Sequence, residues 1–179
     1  NLGAVSQAEF FGTSLHHLLE IVQPTVDAVE VLFTGADRGE VRTGDFTAYA
    51  RSLPLELAKH PDVLLAWEMN GEVLPRNHGF PLRLIVPNWY GMASVKWLSE
   101  ISLIEKPYDG FFQAGDYVFV GAEGIEDGTP IKQMLVRSLI LYPAEDSTHS
   151  ASIIEVDGIA WSGEGRIDEV SISHDGGET

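Results

Sequence analysis

A chain of 179 residues, 44% of them hydrophobic, is long enough for one medium domain and part of a second, and apolar enough to bury a core. Its formal net charge of −16, from 27 acidic against 11 basic side chains, repels nucleic acid and anionic membrane, so neither is expected as a partner. With no cysteine, these residues cannot build a disulfide framework, a zinc-thiolate cluster or a thiol nucleophile, and no apolar run approaches the length of a membrane span.

Leu15, Leu18, Leu19 and Val22 follow Gly12-Thr13-Ser14 at helical spacing, which predicts a hydroxyl-capped amphipathic helix ending before Pro24. Ala28 to Phe33 is short and β-branched and predicts a strand, and Gly35 to Gly39 predicts a loop. Ser52 and Pro54 open a short helix over 53–59. Val63 to Glu68 predicts an apolar strand, and Asn70-Gly71 a hairpin turn into Glu72-Val73-Leu74. Leu82 to Val86 predicts another strand, closed by Pro87, and Ser94 to Ile104 reads as extended. Gly110 to Gly128 lacks periodicity and predicts a long loop of the functional kind.

Around Ile131 the pattern changes. Leu135 to Tyr142, Ile153 to Trp161 and Arg166 to Ser173 predict three strands at the spacing of a β-sandwich, fewer than half of the about seven such a fold needs. The expected class is α+β, with a mixed domain over 1–129 and an incomplete immunoglobulin-like sandwich over 130–179. The first residue is Asn1, and Asp175 to Thr179 reads as a turn with no strand after it. The expectation is a segment of a longer chain, from which no compartment is read.

Chemistry concentrates between Arg76 and Tyr117. Arg76, His78, Arg83 and Lys96 fall within 21 positions of an otherwise acidic chain, with Gly91 and Ser94 among them. Cations, a hydroxyl and backbone open to close approach are what a phosphate-like anion needs. The residues alone leave a second reading open, in which the same cations are solvated strand side chains and His78 is a hydrogen-bonded structural histidine. Tyr117 is by default a packing residue and Asp37 a turn former. His60, His149 and His174 stand apart, His16 and His17 sit on the helix, and no pair has metal-ligand spacing. Walker A, GxSxG and dinucleotide-binding patterns are absent.

The run Pro61 to Leu98, PDVLLAWEMNGEVLPRNHGFPLRLIVPNWYGMASVKWL, resembles the signature of sulfite oxidase-type molybdopterin enzymes. The similarity extends over nearly the whole chain. It includes Gly3-Ala4-Val5 through Gly12 and the leucines after it, Ser52-Leu53-Pro54-Leu55, and Gln113 with Asp116-Tyr117. In the dimerisation domain it includes Met134 to Ser138, Gly158 to Gly163 and Asp175-Gly176-Gly177. The resemblance implies that His78 and Arg83 bind the pyranopterin and its phosphate, that Ser94 and Lys96 continue that contact, and that Asp37 touches the pterin. It implies that Tyr117 lies beside the metal and the substrate oxyanion as the catalytic residue. The implied cofactor is molybdopterin, and the implied reaction is oxygen-atom transfer to a small oxyanion such as sulfite, with an electron acceptor and a homodimeric assembly.

Some positions depart from the family pattern. The resemblance puts the cysteine ligand of molybdenum upstream of Asn1 and a further substrate-pocket arginine beyond Thr179. Asn88 stands where a glycine is usual and Phe10 where a tryptophan is common, and no haem-binding domain is visible. The rival from another class is a non-catalytic scaffold or dimerisation protein of the same fold. Within the class, another sulfur or nitrogen oxyanion is the alternative substrate.

Overall fold

The computed structural model describes residues 6–150 and 153–178. Gly3, Ala4, Val5 and Thr179, which carry parts of the sequence reading, lie outside the described residues. Contacts divide the chain into a unit spanning Gln7–Lys132 and a second running on from Gln133.

In the larger unit, strand β1 (Phe10–Ser14) runs into helix α1 (Leu15–Val22). The helix starts where the sequence says it should: the Ser14 hydroxyl accepts from His16 N at 3.3 Å, and Leu15 and Leu19 are its buried stripe. It ends at Gln23 in the left-handed conformation, whose N–H bonds the Leu19 carbonyl. Strands β2 (Glu30–Glu40) and β3 (Phe46–Pro54) follow, then a single helical turn α2 (Leu55–Ala58) and β4 (Leu64–Met69). Asn70 and Gly71 both have positive φ, as a two-residue hairpin turn requires, and lead into β5 (Glu72–Val73). β6 (Arg83–Ile85) and β7 (Leu98–Ile104) complete the strands of this unit.

Two antiparallel sheets result, one with β4 between β1 and the pair β5 and β6, the other in the order β3-β2-β7. One hydrophobic cluster joins them: Val31 and Phe33 of β2, Leu53 of β3, Leu65 of β4 and Leu84 of β6 are buried together with Leu15. Inward residues alternate along β2 because strand side chains alternate faces.

In this unit the sequence reading needs correction in four places. The segment Gly35 to Gly39, expected as a loop, lies inside β2. Thr34 pairs with Ala50 and Arg38 with Ala48, so residues 35 to 37 face Tyr49 alone across the ladder. The turn-forming residues are absorbed by a bulge rather than a chain reversal. β3 was not expected at all. Of Ser94 to Ile104, only Leu98–Ile104 is strand, because Gly91–Ala93 forms a 3-10 turn and Trp97 takes a left-handed φ of 48°. The long segment after Gly110 contains a π-helical turn, Phe111–Gly115. Asn88, standing where the family has glycine, adopts φ 65°, a conformation asparagine tolerates better than other side chains.

In the second unit, β8 (Arg137–Tyr142) pairs antiparallel with β9 (Asp157–Trp161). Among the described residues, Arg166 to Ser173 is not a strand. Its Val170 and Ile172 are exposed, and an apolar alternation without a neighbouring strand has no ladder to join. No helix among the described residues is long and apolar enough to cross a membrane.

Candidate functional site

Four segments meet at one cavity of about 290 Å³. The bulge in β2 supplies Asp37, β3 supplies Tyr49, the Gly91–Lys96 segment supplies Ser94 and Lys96, and the loop after the π-turn supplies Tyr117. Ala36 N donates to the Trp97 carbonyl at 2.8 Å, which ties the bulge to the Lys96 segment and sets Asp37 at the cavity edge. Asp37 also borders a second, more apolar cavity of about 390 Å³ beside Phe80 and Trp97.

The Ser94 hydroxyl accepts from Val86 N at 3.0 Å, which leaves its own O–H to donate. The Lys96 ammonium donates to the Asn77 carbonyl at 3.1 Å and lies 4.5 Å from the centre of the Trp97 ring. Two more donors of the ammonium remain for an anion.

His78 and Arg83 lie outside the lining of this cavity. His78 closes a 3-10 turn, Arg76–His78, and its carbonyl accepts from Arg83 Nη1 at 2.9 Å. Arg83 Nη2 donates to the Ser94 carbonyl at 3.3 Å, and the guanidinium carbon sits 5.2 Å from the centre of the Phe10 ring. Arg83 therefore braces the His78 turn against the Ser94 segment. Its buried Nε has no hydrogen-bond partner among the described residues, and burial pulls its pKa below the ordinary value.

Sequence reasoning missed Tyr49 and Arg51, which follow each other on one side of β3. Tyr49 stands edge-on to Tyr117, ring centres 6.4 Å apart, and its hydroxyl donates to the Met92 carbonyl at 2.6 Å. Arg51 is completely buried. The loop carrying Tyr117 is fastened to β3, an edge strand. Gln113 accepts from Ser52 N at 3.4 Å and donates to the Ser52 hydroxyl at 3.0 Å, joining two motifs of the resemblance, SLPL and the Gln113–Tyr117 stretch. At the rim, Arg42 bonds Asp116 at 3.3 Å and the Gly115 carbonyl.

Burial pushes the Tyr49 hydroxyl well above its ordinary value near 10; Tyr117, Asp37 and Asp116 push the same way and Arg51 opposes them. The native state thus holds this proton more tightly than the unfolded chain. The stability it contributes is full below pH 10 and is lost as pH rises above that value toward the native pKa. Tyr49→Phe should flatten that alkaline fall in a denaturant titration, leaving the part due to Tyr108, also raised by burial. At neutral pH it should destabilise by about 1 kcal/mol through the lost bond to Met92. An unchanged alkaline limb would deny Tyr49 this role.

The oxidoreductase molybdopterin binding domain matches residues 1–112, and the Mo-co oxidoreductase dimerisation domain matches residues 128–179. The chain belongs to the sulfite oxidase family of molybdopterin oxidoreductases. It is 38% identical to mitochondrial sulfite oxidase of Homo sapiens, over 99% of this chain and 34% of that protein. With sulfite oxidase of Arabidopsis thaliana it shares 37% identity over 99% of this chain and 49% of the plant protein. The sulfane dehydrogenase SoxCD from Paracoccus pantotrophus superposes with a TM-score of 0.77 at 29% identity, covering 96% of this chain and 42% of that one. The chain therefore spans between a third and a half of these relatives.

The family's cofactor is molybdopterin, and the donor set here fits the pterin's anionic part. Lys96 and Ser94, an ammonium and a hydroxyl side chain, line the cavity, and a β-carbon added at Gly79 would lie only 3.1 Å from the β-carbons of Arg83 and Lys96. The metal is a different matter. No group of three or more His, Cys, Asp or Glu able to hold a metal exists among the described residues, and the 179 residues include no cysteine to act as thiolate ligand.

Proposed function

We propose that this chain supplies the pterin-phosphate cradle and a tyrosine of the substrate pocket to a molybdenum-cofactor oxidoreductase that, as an intact protein, oxidises sulfite to sulfate. The supporting observation is the convergence of Asp37, Ser94, Lys96 and Tyr117 from three separate segments on one cavity. The domain boundary falls near Thr129, close to the Lys132 end of the larger unit. The match to the dimerisation domain supports a homodimer as the assembly.

In this reading Lys96 and Ser94 hold the anionic tail, one by charge and the other by its free O–H. Asp37 at the bulge accepts hydrogen bonds from the pterin's ring N–H groups. Arg83 keeps the His78 turn and the Ser94 segment in register through its bonds to their carbonyls. Bound cofactor supplies the two-electron oxygen-atom transfer chemistry. Tyr117 orients the oxyanion through its hydroxyl, a positioning and electrostatic contribution. Sulfite and water give sulfate, two protons and two electrons, so a separate electron acceptor is required.

The test separates binding from turnover in the holoenzyme. Lys96→Ala should weaken cofactor retention by about 1.5–3 kcal/mol, the range of a hydrogen bond to a charged group, read as lost pterin and molybdenum content. Tyr117→Phe should keep both contents and lower kcat for sulfite. Full occupancy in the first variant together with unchanged turnover in the second would overturn the reading.

A further inference from the structure

Arg51 touches the cavity's tyrosine wall from behind. Its side chain has no solvent exposure (0%), and it is not part of the cavity lining. Nη1 donates to the Phe112 carbonyl and Nη2 to the Ile131 carbonyl at 2.8 Å. These carbonyls stand at the two ends of the segment that carries Tyr117. Phe112 is in the π-turn that precedes it, and Ile131 N bonds the Tyr117 carbonyl at 2.9 Å where the segment returns. Between these two anchors the guanidinium carbon lies 5.8 Å from the centre of the Tyr117 ring. Tyr49, two residues earlier on β3, packs on Phe112 with ring centres 4.7 Å apart and planes tilted by 45°, and meets Tyr117 edge-on.

Packing alone does not account for an arginine here. A buried cation carries a large desolvation penalty, and this one leaves Nε without a partner among the described residues. An apolar side chain would close the space under β3 without that penalty. What an apolar side chain cannot do is grip two carbonyls about twenty residues apart while facing an aromatic ring, which a planar, forked donor does. Lysine has one nitrogen and no fork, so it can reproduce only part of the bracket.

We propose that Arg51 is a positioning residue for Tyr117: it brackets both ends of the 112–131 segment and so fixes the tyrosine ring in the cavity wall. The proposal rests on the reading of Tyr117 given above, and its test is built so that the two can fail separately. In the holoenzyme, Arg51→Gln should lower kcat/KM for sulfite by about 10- to 100-fold, the scale of a misplaced active-site group. Placed on Tyr117→Phe, the same change should alter turnover by no more than about twofold, because the hydroxyl that the held ring carries has been removed. A loss of equal size on both backgrounds would mean that Arg51 acts on the fold at large, and would overturn the proposal. The second readout needs no turnover. In protein labelled with 3-fluorotyrosine, the fluorine resonance missing from Tyr117→Phe belongs to Tyr117, and Arg51→Gln should shift or broaden it. An unmoved resonance also overturns the proposal. Should Arg51→Gln fail to accumulate as folded protein, Arg51→Lys keeps the charge and one carbonyl bond, and is read in the same two ways. If Tyr117→Phe alone leaves turnover unchanged, the role of Tyr117 falls, and the fluorine resonance still decides whether Arg51 positions the ring.

Discussion

Gly12→Ala is expected to remove a large part of the protein's stability. Gly12 sits in β1 just past an irregularity in its pairing with β4, opposite Ala66. A methyl group there would overlap the Leu65 carbonyl oxygen and lie 2.7 Å from the Ala66 α-carbon. Every atom in the way is backbone, so no side chain can rotate aside. Relief requires β1 to move off β4, and β1 leads into α1, whose Leu15 and Leu19 belong to the core. Overpacking of a well-filled site usually destabilises by about 1–3 kcal/mol because side chains give way. Here the strand pairing itself must give, so a loss above about 4 kcal/mol is expected, against a total stability of about 5–15 kcal/mol. Gly39→Ala is the control. It is also in a strand, with nothing within 4 Å of an added methyl, and should change stability by less than about 0.5 kcal/mol. Equal denaturation midpoints for the two variants would contradict the tight β1–β4 approach.

The contrast between those glycines shows what a sequence makes legible. Helix α1, the Asn70-Gly71 hairpin and the body of β4 could be read directly, because each is set by local periodicity or by one turn's chemistry. The Gly35 to Gly39 segment could not. Its residues are turn formers whichever way the chain goes, and only the pairing of β2 with both β3 and β7 turns them into a bulge. β3 escaped notice for a related reason. Residues 50 to 53 are all buried, since the loop fastened by Gln113 covers the strand's outer side, so the hydrophobic alternation of a half-exposed strand is missing.

The site divides along the same line. Ser94 and Lys96, close in sequence, do share a cavity wall, and Asp37 and Tyr117 reach it from far along the chain. His78 and Arg83 belong to the same cluster of charged residues, yet the Arg83 guanidinium is turned onto carbonyl groups. Composition reports that a cation is present but not the direction in which it points. Tyr49 and Arg51 carried no local signal, because a charge two residues from a tyrosine is ordinary on a solvent-facing strand. It becomes informative only when burial is known.

Gly79→Ala is the substitution expected to do most damage to the site itself. Gly79 follows the His78 turn with φ 111°, outside the region that L-residues favour. An added methyl would lie 3.1 Å from the β-carbons of both Arg83 and Lys96, and 3.2 Å from the Lys96 α-carbon. Two effects combine. Backbone strain for a non-glycine residue in such a conformation is about 1–3 kcal/mol. The contacts then push apart the two cationic segments that Arg83 holds together through His78 and Ser94. Gly71→Ala separates the two effects, since Gly71 also has positive φ (78°) but open space around it. Both variants should lose stability in chemical denaturation, whereas only Gly79→Ala should also lose pterin from the holoenzyme, and by more than Lys96→Ala does. Displacing the Lys96 backbone moves Ser94, Lys96 and the Trp97 carbonyl that fixes the Asp37 bulge, whereas truncating the lysine removes one contact. Normal pterin content in Gly79→Ala would show that the spacing of Arg83 and Lys96 is not what the cofactor depends on.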